Sequence, residues 1–166
     1  MDPSRIESRD GYVDTHGAII YYMTIGTGAP LVLLHGGPGS THEYFLPYLL
    51  PLARNRQLVL VDERGCGRSQ RLEDLAQYNL TEMANDIEAV CGALKLGKVD
   101  LLGHSFGGIL AQAYRALAPI ATGALHAGPP TYDLEIWLAS ALLSVTFPFL
   151  IFFAEFFKFW PLAKTE

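Results

Sequence analysis

A serine becomes a nucleophile only where its hydroxyl is presented without crowding. The segment Gly103-His104-Ser105-Phe106-Gly107 offers such a presentation. It is a G-x-S-x-G pattern, preceded by the short apolar run VDLL (Val99 to Leu102) and followed by an apolar stretch of helical character. On a sharp strand-to-helix turn the serine backbone is strained, and side chains on either flank would collide. Glycine at 103 and 107 removes those collisions and leaves Ser105 exposed at the end of the strand. The helix that follows points its first amides at the same place, which favours a developing negative charge. The chemistry this suits is acyl transfer, with Ser105 attacking a carbonyl carbon.

Acyl transfer also needs two N–H donors aimed at the oxyanion. One is the amide of Phe106, the residue after the nucleophile. The other is expected from a glycine-rich loop after an earlier strand, and His35-Gly36-Gly37-Pro38-Gly39 stands in that position. Gly37 is the candidate donor; the plainer reading of the loop is a strand-ending turn. His35 and Gly36 line the same loop, with His35 read as an anchor rather than a catalyst. His104 is adjacent to Ser105, and neighbours on a tight turn point apart, so it is read as structural or pocket-lining, as is Gly107.

A third segment, Asp62-Glu63-Arg64-Gly65-Cys66-Gly67-Arg68-Ser69, follows another apolar run. Asp62 and Arg64 are expected to form an ion pair that shapes the loop, in preference to touching substrate. Cys66, between two glycines, reads as a small packing residue. Cys66 and Cys91 have no metal-ligand spacing and form no disulfide framework, so neither a metal nor a cofactor is expected. His16 and His42 have no partner motif.

Taken in order, HGGPG at 35–39, DERGCGRS at 62–69 and GHSFGG at 103–108 resemble the proline iminopeptidase group of the α/β-hydrolases. The resemblance runs from about Gly11 to Pro130, and the first two motifs are far more specific than the third. It implies a mostly parallel sheet with flanking helices and the start of a helical cap. It also implies hydrolytic release of an N-terminal residue, often proline, from a peptide through an acyl-enzyme. Relatives with the same motifs cleave other amides or esters, so mechanism transfers more securely than substrate.

A serine needs a base, and the base an orienting carboxylate, in the order serine, acid, histidine in this fold. After Ser105 the sequence offers His126 and the acids Asp133, Glu135, Glu155 and Glu166, all beyond that histidine. No such order can be drawn. His126 falls in Thr122 to Ala127, read as the next strand. The chain is therefore expected to hold the nucleophile and oxyanion donors without the rest of the machinery, and to be weakly active or inactive alone. A hydrolase core kept for non-catalytic binding is the alternative.

The elements that must position these groups are legible. Met1 to Asp10 reads as loose. Ala18 to Ile25 is β-branched and aromatic and ends at Gly26, so it reads as a strand. Leu31 to Leu34 and Gln57 to Val61 are continuous apolar runs, as suits strands buried on both faces. Glu43 to Ala53 is a short helix interrupted by Pro47 and Pro51. Leu80 to Leu94 has helical spacing, with Thr81 as N-cap and Gly97 as stop. Ile109 to Leu117 is helical up to Pro119. Strand and helix alternating through short glycine-bearing turns is the pattern of a parallel α/β sheet.

The chain has 166 residues, half of them hydrophobic and 17% charged, with a formal net charge of -5. The mean hydropathy is +0.21 and the pI about 5.5. This is a globular composition with no basic footprint, so nucleic acid is not an expected partner. A small peptide or acyl substrate is; oligomeric state is left open. The polar N-terminus lacks the apolar run of a signal peptide, which makes the cytoplasm the expected compartment. Residues 1–132 read as the N-terminal part of the hydrolase core and 133–166 as an apolar helical segment. Within the latter, the 19 residues from Ile136 to Ala154 carry no charge, interrupted by Pro148. Three readings stand: a cap start, which is preferred, a tail altered by truncation or frameshift, and a membrane anchor, which is not favoured.

Overall fold

The computed structural model describes residues 7–15, 17–121 and 136–139. Six strands form one sheet: β1 (Ser8–Thr15), β2 (Ala18–Ile25), β3 (Ala29–Leu34), β4 (Arg56–Val61), β5 (Asp100–His104) and β6 (Ile136–Ala139). Their spatial order is β1-β2-β4-β3-β5-β6. The first two form an antiparallel hairpin, and β2 joins β4 antiparallel. From β4 onward every pairing is parallel. Three helices accompany them: α1 (Leu46–Leu49), α2 (Leu80–Ala93) and α3 (Phe106–Ala121).

The unbroken apolar runs do bury both faces of the sheet. Val32 and Leu34 of β3 and Val59 and Val61 of β4 lie in one cluster with Ile87 and Val90 of α2 and Leu110 and Tyr114 of α3. Their alternates Leu31, Leu33, Leu58 and Leu60 lie in a second cluster with Phe45, Leu49 and Ala53. A period of two thus splits each run between opposite faces, so that helices cover the central strands on both sides. This layering fixes the carboxyl ends of β3, β4 and β5, where the three motif loops emerge.

Several local features depart from the sequence reading. Ser8 to Asp10 are not loose but begin β1; an outer strand with most of its residues exposed carries no apolar signal. The region 43–53 divides into a 3-10 turn (His42–Phe45), the single-turn α1 and a second 3-10 turn (Leu50–Arg54). Pro47 and Pro51 each sit at the start of a segment, where the missing N–H costs nothing. The N-cap of α2 is Asn79 rather than Thr81: its side chain accepts the Glu82 N–H at 3.0 Å from an extended backbone. α3 continues past Pro119 to Ala121. The helical expectation for 133–166 is corrected at Ile136–Ala139, which pairs parallel with β5. So short an apolar run carries no periodicity to separate strand from helix. The expected strand at 122–127, with His126, and the remainder of 133–166 lie outside the described residues, as does His16.

α2 ends at Ala93, and the residue that closes it is Lys95 rather than Gly97. Lys95 takes the left-handed conformation (φ 53°), its N–H bonding to the Gly92 carbonyl and that of Leu96 to the Cys91 carbonyl. This Schellman-type closure favours glycine at Lys95. Lys95→Gly is therefore expected to raise the unfolding free energy by about 1 kcal/mol, read as a higher urea midpoint with an unchanged slope. A lower midpoint would contradict it.

Candidate active site

Ser105 joins β5 directly to α3 and has φ 53°, one of two non-glycine residues with positive φ among those described. Such a conformation costs a residue with a side chain on the order of 1–2 kcal/mol. The flanks show why glycines must accompany it. A Cβ on Gly103 would strike the backbone of Gly107 and Gly108, and one on Gly107 would meet the carbonyls of Leu34 and His35, the latter at 2.6 Å. The turn is thus pressed against the end of β3, and Ser105 itself is exposed. The collisions expected from the motif are present in the fold.

The glycine-rich loop lies against this turn. A Cβ on Gly36 would come within 2.9 Å of His104 Nδ1 and 3.1 Å of Ser105 Cβ. Gly36 is buried, and its N–H donates to the Tyr44 hydroxyl at 2.6 Å. Gly37 is exposed with φ 117°. Among the described residues, neither the Gly37 amide nor the Phe106 amide has a hydrogen-bond acceptor. Loop and elbow therefore each leave one amide open.

Each histidine near the site has a partner at Nδ1. His35 is fully buried, with Nδ1 2.8 Å from the Gly36 carbonyl and Nε2 accepting the Glu63 N–H at 3.1 Å. Burial holds its pKa below the ordinary value. Its two ring nitrogens thus meet the backbone at Gly36 and Glu63. His104 Nδ1 stands 2.9 Å from the Tyr44 hydroxyl, and burial lowers its pKa as well. His42, expected to be without a partner, has one: Asp62 Oδ1 accepts both its backbone N–H and its Nδ1–H, each at 2.8 Å. That pair has the look of a catalytic dyad, and the His42 Nε2 is buried with no hydrogen-bond partner among the described residues, but the ring packs on the β2 side of the sheet. The His42 ring lies 5.3 Å from Tyr21 of β2, and β4 and β3 separate β2 from β5, roughly 14 Å of sheet.

The expected Asp62–Arg64 pair does not form, because the two side chains serve opposite faces. Asp62 turns to His42 beside α1 and also accepts the Arg68 N–H at 3.0 Å. Burial alone would raise its pKa, but these hydrogen bonds outweigh it and hold the carboxyl below its usual range. Arg64 turns to α2, where Nε and Nη2 donate to the Asp86 carboxylate at 2.7 and 2.8 Å. It also donates to the carbonyls of Gln77 and Glu82. Both residues are structural, through partners at 42 and 86 that no local spacing announces.

Glu63, between them, was not singled out by the sequence. Its side chain is 1% exposed and neither carboxyl oxygen has a hydrogen-bond partner; the nearest cation-forming atom, His35 Nδ1, is 4.0 Å away. Burial, with a smaller contribution from Asp62, pushes its pKa up to about 8. Three consecutive charged residues directly after a buried strand are the signal that could have marked it. With His35 and Cys66 it places three ligand-type atoms within 4.8 Å of one another. A cation there would have to displace one of the contacts that already hold both His35 nitrogens.

A family model described as the alpha/beta hydrolase fold matches residues 29–142. The chain belongs to the α/β-hydrolase family. A proline iminopeptidase from Heyndrickxia coagulans is 34% identical over 131 residues, which make up 77% of this chain and 45% of that protein. The chain thus spans less than half the length of the curated relatives it matches. Among solved structures, a proline iminopeptidase-related protein from Thermus thermophilus superposes with a TM-score of 0.64 at 30% identity, covering 69% of this chain and 42% of that one. An epoxide hydrolase from Vigna radiata gives 0.60 at 26% identity, covering 71% and 38%. The three motif loops follow the carboxyl ends of β3, β4 and β5, neighbouring parallel strands of the sheet. No helix among the described residues is long and apolar enough to cross a membrane.

Glu63 gives this hydrolase core a pH dependence with a definite sign. Its folded pKa lies above the ordinary carboxyl value, so its share of stability is complete below about pH 4.5 and is lost as pH rises towards about 8. The loss over that window is on the order of 5 kcal/mol. Glu63→Gln is expected to flatten the decline of melting temperature between pH 5 and 8, the gap from wild type widening as pH rises. Parallel curves would contradict a neutral buried acid.

Proposed function

We propose that this chain carries the nucleophilic part of a serine hydrolase of the proline iminopeptidase type. It acts on small peptides, releasing an N-terminal residue through an acyl-enzyme on Ser105. The observation that carries the reading is an exposed serine at φ 53° on a turn packed against the glycine loop, with the amides of Phe106 and Gly37 left without acceptors among the described residues. Ser105 Oγ attacks the carbonyl carbon, and the oxygen that gains charge is met by those two N–H groups and the amino end of α3. The name shared by the curated relatives favours a peptide bond after an N-terminal residue as the bond cleaved. Fold similarity by itself does not choose the chemistry, since an epoxide hydrolase has the same architecture.

Attack requires a proton acceptor for Ser105. Among the described residues the imidazoles of His35 and His42 are buried and engaged elsewhere, and the Nδ1 of His104 faces Tyr44. The same observation supports a second reading, a core that binds acyl ligands without turning them over. In the first reading the chain alone turns over slowly.

The two readings separate in a hydrolysis assay with proline p-nitroanilide beside an acetyl ester. The first predicts weak release of nitroaniline that disappears in Ser105→Ala, with proline preferred over other N-terminal residues. Release equal in both proteins would refute Ser105 as nucleophile. Saturable binding of the anilide with no release favours the second.

A further inference from the structure

We propose that Tyr44 is a positioning residue of this site: its hydroxyl takes the Gly36 amide and so leaves Gly37 as the amide that faces the oxyanion. The inference rests on the reading of Ser105 as nucleophile and adds which amide serves it and why. Gly36 and Gly37 are consecutive in the loop that lies against the elbow, so either amide is a candidate for the role. The Gly36 N–H donates to Tyr44 Oη at 2.6 Å, so it is spent. Gly37, at φ 117°, is turned away from that bond and exposed.

Tyr44 Oη accepts from Gly36 and lies 2.9 Å from His104 Nδ1. A hydroxyl has one proton and two acceptor sites; in this proposal the proton goes to Nδ1, which leaves the His104 proton on Nε2. The ring of Tyr44 meets that of His104 edge-on, with centroids 5.5 Å apart, which fixes the hydroxyl from the side. Burial pushes the phenol pKa up to about 12, partly offset by the Gly36 N–H and raised further by Glu63, so the hydroxyl remains a donor across the working range. One side chain thereby ties the glycine loop to the residue before the nucleophile. The Cβ-free contact of Gly36 with His104 and Ser105 is the space it closes.

The test is amide exchange and histidine ¹⁵N spectroscopy on the full chain, wild type and Tyr44→Phe. In wild type the Gly36 amide is protected, Gly37 exchanges freely and His104 shows its proton on Nε2. In Tyr44→Phe the Gly36 amide exchanges about tenfold faster, the loss of one neutral hydrogen bond, while β3 and β5 keep their protection. Ester hydrolysis by the variant falls about tenfold in kcat with KM unchanged, as expected for a donor misplaced only towards the transition state. Unaltered Gly36 exchange in the variant, or a wild-type His104 with its proton on Nδ1, overturns the inference. So does a rise in KM with kcat intact. If neither protein hydrolyses ester, the nucleophile reading fails and the amide arrangement is decided by exchange alone.

Discussion

Two turns meet here through backbone rather than side chains. Gly36 lies against His104 and Ser105, and Gly107 against the carbonyls of Leu34 and His35, at distances that leave no room for a methyl group. The proposed site depends on that contact. It sets the glycine loop against the elbow, and it demands both a strained Ser105 and a glycine at each point of approach. Strain of this kind persists only where the surroundings overdetermine it. The parallel pairings of β3 with β4 and of β3 with β5 supply that determination by fixing where the loops begin.

The loop after β4 works as a brace for the same contact. Asp62 ties it to His42 on one face of the sheet, and Arg64 ties it to Asp86 on the other. Both bonds are buried, so their main value is in fixing one arrangement, since a buried ion pair adds little net stability over an apolar substitute. Glu63 lies between them without a hydrogen-bond partner, next to the histidine that begins the glycine loop. Burial there favours the neutral acid, so the brace loses stability as pH rises from about 4.5 towards about 8.

Much of this was readable in advance, for definite reasons. Val32 to Leu34 and Leu58 to Val61 announce a doubly covered sheet because no polar residue interrupts them. Gly103 and Gly107 announce the elbow because only a steric need explains them at that spacing. What escaped was long-range or weakly patterned. Asp62 and Arg64 look like partners two residues apart, yet their partners are 20 and 22 residues away on elements of opposite faces. β1 is polar because it is an outer strand, and Ile136–Ala139 is too short for any period to show. Tyr44 gives no sign in sequence that its hydroxyl will meet a glycine amide eight residues before it. The acid and base of a complete hydrolase site were not identifiable in the sequence, and none has been placed among the described residues.

The central claim is that Ser105 is a nucleophile whose oxyanion donors are the Gly37 and Phe106 amides. A crystal structure of the chain with a prolyl boronic acid tests it most directly, since a tetrahedral boron adduct mimics the intermediate and exploits the same donors. The account predicts boron bonded to Ser105 Oγ, with one boronate oxygen about 3 Å from both amides. Boron bonded elsewhere, an oxygen held by Gly36 instead of Gly37, or no adduct at saturating ligand would contradict it.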